Sequence, residues 1–204
     1  MNTPANNLEV ETAHDVKIRL LLRAHLESTQ QSNIDKNVDE LMSFAGYAER
    51  FHFFVPHIDA LAKERLLISG CAVGSEHLVA RSFGFREIIG TEISMNYVRI
   101  ARERFSGVDG LIVDFCAGSS LPYASESFSM IYSGHVIEHS GNPFEYFKEH
   151  LRVLRPGGYF FLEFPTRYHW RELHTGVVSL EWLPERIRNL ACTVLAADWS
   201  PLDE

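Results

Sequence analysis

Apolar residues recur along the first fifty positions at roughly the 3.6-residue period of a helix. Val16, Leu20, Leu21 and Leu22 stand out between Ala13 and Ser28, and Val38, Leu41, Met42 and Ala45 repeat the habit between Ile34 and Arg50. Two amphipathic helices are predicted, forming a helical cap over residues 1–50. Beyond residue 65 the pattern changes. Short apolar runs at Leu66–Ser69, Glu87–Thr91, Leu111–Phe115, Phe128–Ser133 and Tyr159–Phe164 alternate with helix-compatible stretches near 75–83, 94–105 and 143–154. That alternation predicts an α/β fold, a mostly parallel sheet with helices on both faces, built from residues 51–204 as one structural unit. Asn142-Pro143 marks the start of the last helix. Pro156-Gly157-Gly158 is predicted to end it, with glycine supplying left-handed backbone after the final turn.

The first run empties into a glycine-punctuated turn, Ser69-Gly70-Cys71-Ala72-Val73-Gly74-Ser75, that leads into helical sequence. Glycine at 70 and 74 lets the backbone bend sharply and lie close to a ligand, while the following helix offers unpaired N–H groups. The second run ends in Glu92, near the spacing at which a carboxylate accepts both hydroxyls of an adenosine ribose. Ala72 and Ser75 stand where a dinucleotide fingerprint needs glycine and a small closing residue, so a pyrophosphate ligand is disfavoured. A tight strand-to-helix connection with no ligand is the plain structural alternative.

Four segments in order carry a resemblance: Gly70-Cys71-Ala72-Val73-Gly74, Leu121-Pro122-Tyr123, Val136-Ile137-Glu138-His139 and Arg152-Val153-Leu154-Arg155-Pro156-Gly157-Gly158. The stretch from Phe51 to Pro165 resembles class I S-adenosylmethionine-dependent methyltransferases of the type 11 group. The resemblance implies a Rossmann-like fold with extra N-terminal helices and S-adenosylmethionine as cofactor. It also implies a helix and two strands beyond the fifth strand. The residues after Pro165 are few for that, so a missing part of the terminal strand hairpin, or completion of the sheet edge in a homodimer, stays open.

In open α/β sheets ligands lie beyond the carboxyl ends of the strands. By resemblance, the turn of Gly70, Cys71, Ala72 and Gly74 would face the methionine part of the cofactor, Glu92 and Ile93 the ribose, and Asp114 with Phe115 the adenine, with Ser133 nearby. Asp114 is the choice for the adenine amino group, although the family's spacing back from Leu-Pro-Phe selects Ala117. Two positions depart from the family: Ile68 stands where relatives carry an acid, and Ser129 where they carry Asp. The N-terminal helical part crosses the cofactor mouth in relatives, so Tyr47, Arg50 and Phe51 either close the pocket or simply pack on the sheet.

Composition narrows the partners. A net charge of −8 without clustered Lys and Arg excludes a broad nucleic-acid footprint and favours a small-molecule or glycan-precursor acceptor. No secretion-type start and no run near the ~20 residues that cross a bilayer are present, which predicts a cytoplasmic protein off the membrane. Three cysteines without a Cys-x-x-Cys pair argue against a disulfide framework or zinc ribbon.

His135-Val136-Ile137-Glu138-His139 is the densest cluster of proton carriers, and an imidazole titrates near neutrality. His135, Glu138 and His139 are the catalytic candidates for an oxygen acceptor, against a reading in which they cap the loop after the fourth strand. Tyr168, His169 and His174 are candidates for acceptor binding. No resident metal is assigned; a divalent ion held by the histidine cluster with His169 or His174 is an alternative. The zinc-protease reading of His-x-x-Glu-His fails on its place just after a strand. A degenerate, non-catalytic binding or scaffold protein is the rival class, and a nicotinamide-dependent oxidoreductase a third.

Overall fold

The structure, a computed structural model, describes residues 12–165. Its elements in chain order are α1 (Ala13–Ser28), α2 (Ile34–Met42), α3 (Ala45–Phe54), β1 (Arg65–Ser69), α4 (Ser75–Ser82), β2 (Glu87–Glu92), α5 (Met95–Arg104), β3 (Leu111–Phe115), β4 (Phe128–Gly134), α6 (Pro143–Val153) and β5 (Leu154–Glu163). Polar caps set several helix starts. The Thr12 hydroxyl accepts from the Asp15 N–H while the Asp15 carboxylate accepts from the Thr12 N–H, a reciprocal box at the head of α1. Asn142 takes the N–H groups of Phe144 and Glu145 at 3.1 and 3.2 Å, and Pro143 occupies the first helical position of α6, where its missing N–H costs nothing.

The strands stand in the order β3-β2-β1-β4-β5, each parallel to its neighbours. Leu66, Leu67 and Ile68 of β1 and Met130 to Tyr132 of β4 are buried on both faces, which is why they read as unbroken apolar runs. On one face Phe51 and Phe54 of α3 pack with Ile68 and Tyr132; on the other Leu67, Ile89 and Ile131 pack with Val153 of α6. Strand order reverses between β1 and β4, so their carboxyl ends leave a crevice. Among the described residues no helix is long and apolar enough to cross a membrane.

Three local expectations change. The buried stripe of α1 is Ile18, Leu22 and Leu26, whereas Val16, Leu20 and Leu21 are 42%, 60% and 41% exposed. Each residue turns the helix by roughly 100°, so the two leucines before Leu22 point away from its partners. The single helix expected from Ile34 to Arg50 breaks at Ser43, whose extended backbone lets α2 pack on α1 while α3 packs on the sheet. Finally, α6 ends at Val153, and Leu154 already pairs with Phe128. Pro156-Gly157-Gly158 forms an irregularity inside β5, with Gly157 at φ +74°, rather than the helix cap. Tyr168, His169, His174 and the strand-like run Thr193–Ala197 lie outside the described residues.

Candidate active site

The turn after β1 is tied to β2 by a ladder of hydrogen bonds. The N–H groups of Gly70 and Cys71 both donate to the Thr91 carbonyl, at 2.8 and 3.0 Å. The Glu92 carboxylate accepts from the Ala72 N–H at 3.0 Å through one oxygen and from the Ser94 N–H at 2.8 Å through the other. The turn passes through the left-handed region three times, at Gly70 (φ +70°), Ala72 (φ +43°) and Gly74 (φ +80°). Glycine is required for packing as well as for conformation: a Cβ on Gly70 would stand 2.4 Å from Val136, and one on Gly74 2.2 Å from Phe105. The space freed at 74 is therefore filled by a neighbouring ring, not by a ligand.

A cavity of about 470 Å³ opens over this ladder at the carboxyl ends of β1, β2 and β4. Of the residues predicted from sequence, Gly70, Glu92, Ile93, His135 and His139 line it. The others stand apart. Cys71 is buried beneath the turn, Ala72 contributes its N–H to Glu92, and Gly74 caps α4. Asp114 is absent from the lining because its carboxylate accepts from the Tyr123 hydroxyl at 2.9 Å and faces Arg102 at 3.8 Å. Phe115 is exposed on the outer part of β3. The wall there is Cys116, Ala117 and Gly118, and burial with the nearby Asp114 charge pushes the Cys116 thiol up to about 11. Ser133 is sealed behind Tyr146.

Tyr146 is the residue that sequence reasoning missed. It reaches from α6 to the crevice, where its hydroxyl donates to Ser69 Oγ at 2.7 Å and lies 2.8 Å from Ser133 Oγ. Ser69 and Ser133 are register partners on β1 and β4, so one ring ties the floor of the cavity across the switch point. A Cβ on Gly118 would come 2.3 Å from that ring. Nothing in the local sequence around Tyr146 signals this role, because it depends on a long-range strand register.

Of the histidine cluster, His135 directly follows β4, and Glu138 and His139 sit on a single 3₁₀ turn, Ile137–His139. His135 has φ +55°, its N–H donates to the Glu163 carbonyl, and its Nε2 lies 3.1 Å from Glu163 Oε1. Its other ring nitrogen faces Glu138 Oε1 at 3.6 Å. Both Glu138 oxygens are buried without a hydrogen-bond partner among the described residues. Glu163 in turn holds Arg50 of α3 at 2.8 Å. Phe51 packs in the core rather than over the cavity mouth.

The two departures from the family fall in different places. The Ser129 hydroxyl accepts from the Arg65 N–H at 2.8 Å at the amino end of β4, the opposite end of the sheet from the cavity. Ile68 is buried one residue before Ser69, so β1 brings no charge to the crevice.

The cavity suits an adenosyl group. Its volume lies in the ~300–1,000 Å³ range of small-molecule sites. Each Glu92 oxygen uses one lone pair on a backbone N–H and keeps another for a hydroxyl of a ribose diol.

Residues 67–162 match the family model described as a methyltransferase domain. Methyltransferase GfsG of Streptomyces halstedii is 32% identical over 105 residues, which are 50% of this chain and 37% of that protein. Malonyl-[acyl-carrier protein] O-methyltransferase of Marinomonas sp. is 31% identical over 71 residues, 35% of this chain and 26% of that protein. The chain thus spans well under half the length of either relative. An S-adenosylmethionine-dependent methyltransferase from Mesorhizobium loti shares the fold, with a TM-score of 0.54 at 21% identity, over 64% of this chain and 58% of that one.

Proposed function

Since residues 67–162 place this chain among the class I S-adenosylmethionine-dependent methyltransferases, we propose that it methylates an oxygen of a small-molecule or glycan-precursor acceptor. The cofactor, S-adenosylmethionine, supplies when bound an electrophilic methyl group on a positively charged sulfur. Glu92 would hold the ribose, the Cys116–Gly118 wall the adenine, and residues 1–50 would act as a helical cap on a methyltransferase domain of residues 51–204. The observation that carries the reading is one cavity with the Glu92 carboxylate on one wall and His135 and His139 on another. His139 is read as the base that takes the acceptor's proton, and Glu138 and Glu163 as the groups that orient His135 beside it. The net charge of −8 favours a small acceptor over nucleic acid.

Turnover and cofactor affinity measured separately on His139→Ala test the base role. Turnover is expected to fall by about 10²–10⁴ with affinity for the cofactor unchanged. Equal losses in both would contradict it. Ile68 keeps a second reading in view, a protein that retains the fold without catalysis. Absence of both binding heat and a thermal shift with millimolar S-adenosylmethionine would favour that reading.

A further inference from the structure

On the α3 and α4 side of the sheet a carboxylate is buried with no salt bridge among the described residues. Glu76, in the first turn of α4, is 8% exposed. Its hydrogen-bonding partner among the described residues is its own backbone N–H. Arg50 approaches from α3, but its Nε is held by Glu163 and its guanidinium stands over the Tyr47 ring. Arg104 of α5 acts on Glu76 through space, while its Nη1 donates to the Val73 carbonyl and Ser75 Oγ and its Nε and Nη2 have no hydrogen-bond partner among the described residues. The remaining groups in electrostatic reach are Tyr47 on α3, Tyr132 on β4, Cys71 in the turn and Glu92 on β2. None of these four is a cation. Burial pushes Glu76 up to about 7, so keeping a carboxylate here costs the fold stability. Glutamate in place of an apolar residue makes sense where a cation enters with a ligand.

The position says which cation. Glu76 follows two residues after Gly74, the cap of α4, at the end of the turn that starts from Gly70 on the cavity wall, and it lies in electrostatic reach of Cys71 within that turn, whereas β1 contributes only the apolar Ile68. Glu92 is occupied with two backbone N–H groups and has lone pairs only for a diol. Resting on the adenosyl-site reading above, we propose that Glu76 is the counter-charge for the α-ammonium group of the cofactor's amino-acid end. The ammonium donates to the Glu76 carboxylate beneath α3, which places on α4 a charge that β1 does not supply.

The test is calorimetric titration of the full chain and of Glu76→Gln with two probes. S-adenosylhomocysteine carries the ammonium; 5′-methylthioadenosine ends at the thioether. Glu76→Gln is expected to weaken S-adenosylhomocysteine about ten- to a hundredfold and to leave 5′-methylthioadenosine within about twofold. Equal weakening of both probes, or no weakening of either, overturns the assignment, and so does a selective loss in Glu138→Gln instead. Wild-type protein that binds neither probe overturns the adenosyl-site reading itself, whereas 5′-methylthioadenosine binding without a Glu76 effect leaves that reading standing. The unaltered protein gives a second readout at pH 7 in buffers of different ionisation enthalpy. S-adenosylhomocysteine should drive a proton off Glu76 into the buffer, and 5′-methylthioadenosine should not. Equal proton release with both probes would overturn the proposal without recourse to any variant.

Discussion

On the α6 side of the β1–β4 crevice, the hydroxyls of Ser69, Tyr146 and Ser133 form a chain with spacings of 2.7 and 2.8 Å, and each buried oxygen is answered by another. On the α4 side, Glu76 is 8% exposed and, among the described residues, has its own backbone N–H to bond with. The first arrangement is neutral and complete, so it rigidifies the floor of the cavity and contributes to stability. The second is charged and incomplete, so it costs stability and leaves a group poised for a ligand. One crevice thus separates a wall built for the fold from a wall built for binding.

Substitution on each side should sharpen that contrast. The largest stability change is expected from Tyr146→Phe, which strands the hydroxyls of two buried serines. Urea unfolding should show a loss of about 2–3 kcal/mol. No loss would mean the chain of hydroxyls is idle.

Glu76→Gln should move the other way, and pH gives the sign. The carboxyl group ordinarily titrates near 4.5, and burial pushes it up to about 7 in the folded protein. The folded state therefore holds the proton more tightly, and stability present below pH 4.5 is lost as pH rises through 7. At pH 8 the variant is expected to be more stable than wild type by about 1–2 kcal/mol, with the gain vanishing toward pH 4.5. A variant less stable at pH 8 would break the comparison, since it would make Glu76 a structural group like Tyr146. The smallest effect is expected in the turn that joins the two sides. Ala72 holds φ +43°, and Ala72→Gly should raise unfolding free energy by about 0.5–1 kcal/mol if relief of that strain outweighs the added chain entropy. A loss of stability would show that the turn is relaxed as it stands.

Much of the fold was legible because strands buried on both faces leave unbroken apolar runs. Leu66–Ser69 and Phe128–Ser133 fall one residue short of the observed β1 and β4. The face of α1 and the break before α3 were not legible, since both depend on what each helix packs against. Within the site, Glu92 and the histidines were found because a strand end and a short motif carry them. Asp114 drew attention as a carboxylate at a strand end, yet the fold turns it to Tyr123 and Arg102, and Ala117, chosen by spacing alone, lines the cavity. Tyr146 had no local signal because its partners are 77 and 13 residues away and meet only through parallel register. Glu76 was not singled out in the sequence, where it is an acid at a helix start, and its burial is what sets it apart.

The most direct measurement is a crystal structure of the chain with S-adenosylhomocysteine. The account predicts both ribose hydroxyls within about 3 Å of the Glu92 carboxylate and the adenine against Cys116 and Ala117. An adenosyl group bound elsewhere, with Glu92 still engaged only by the Ala72 and Ser94 amides, would contradict it.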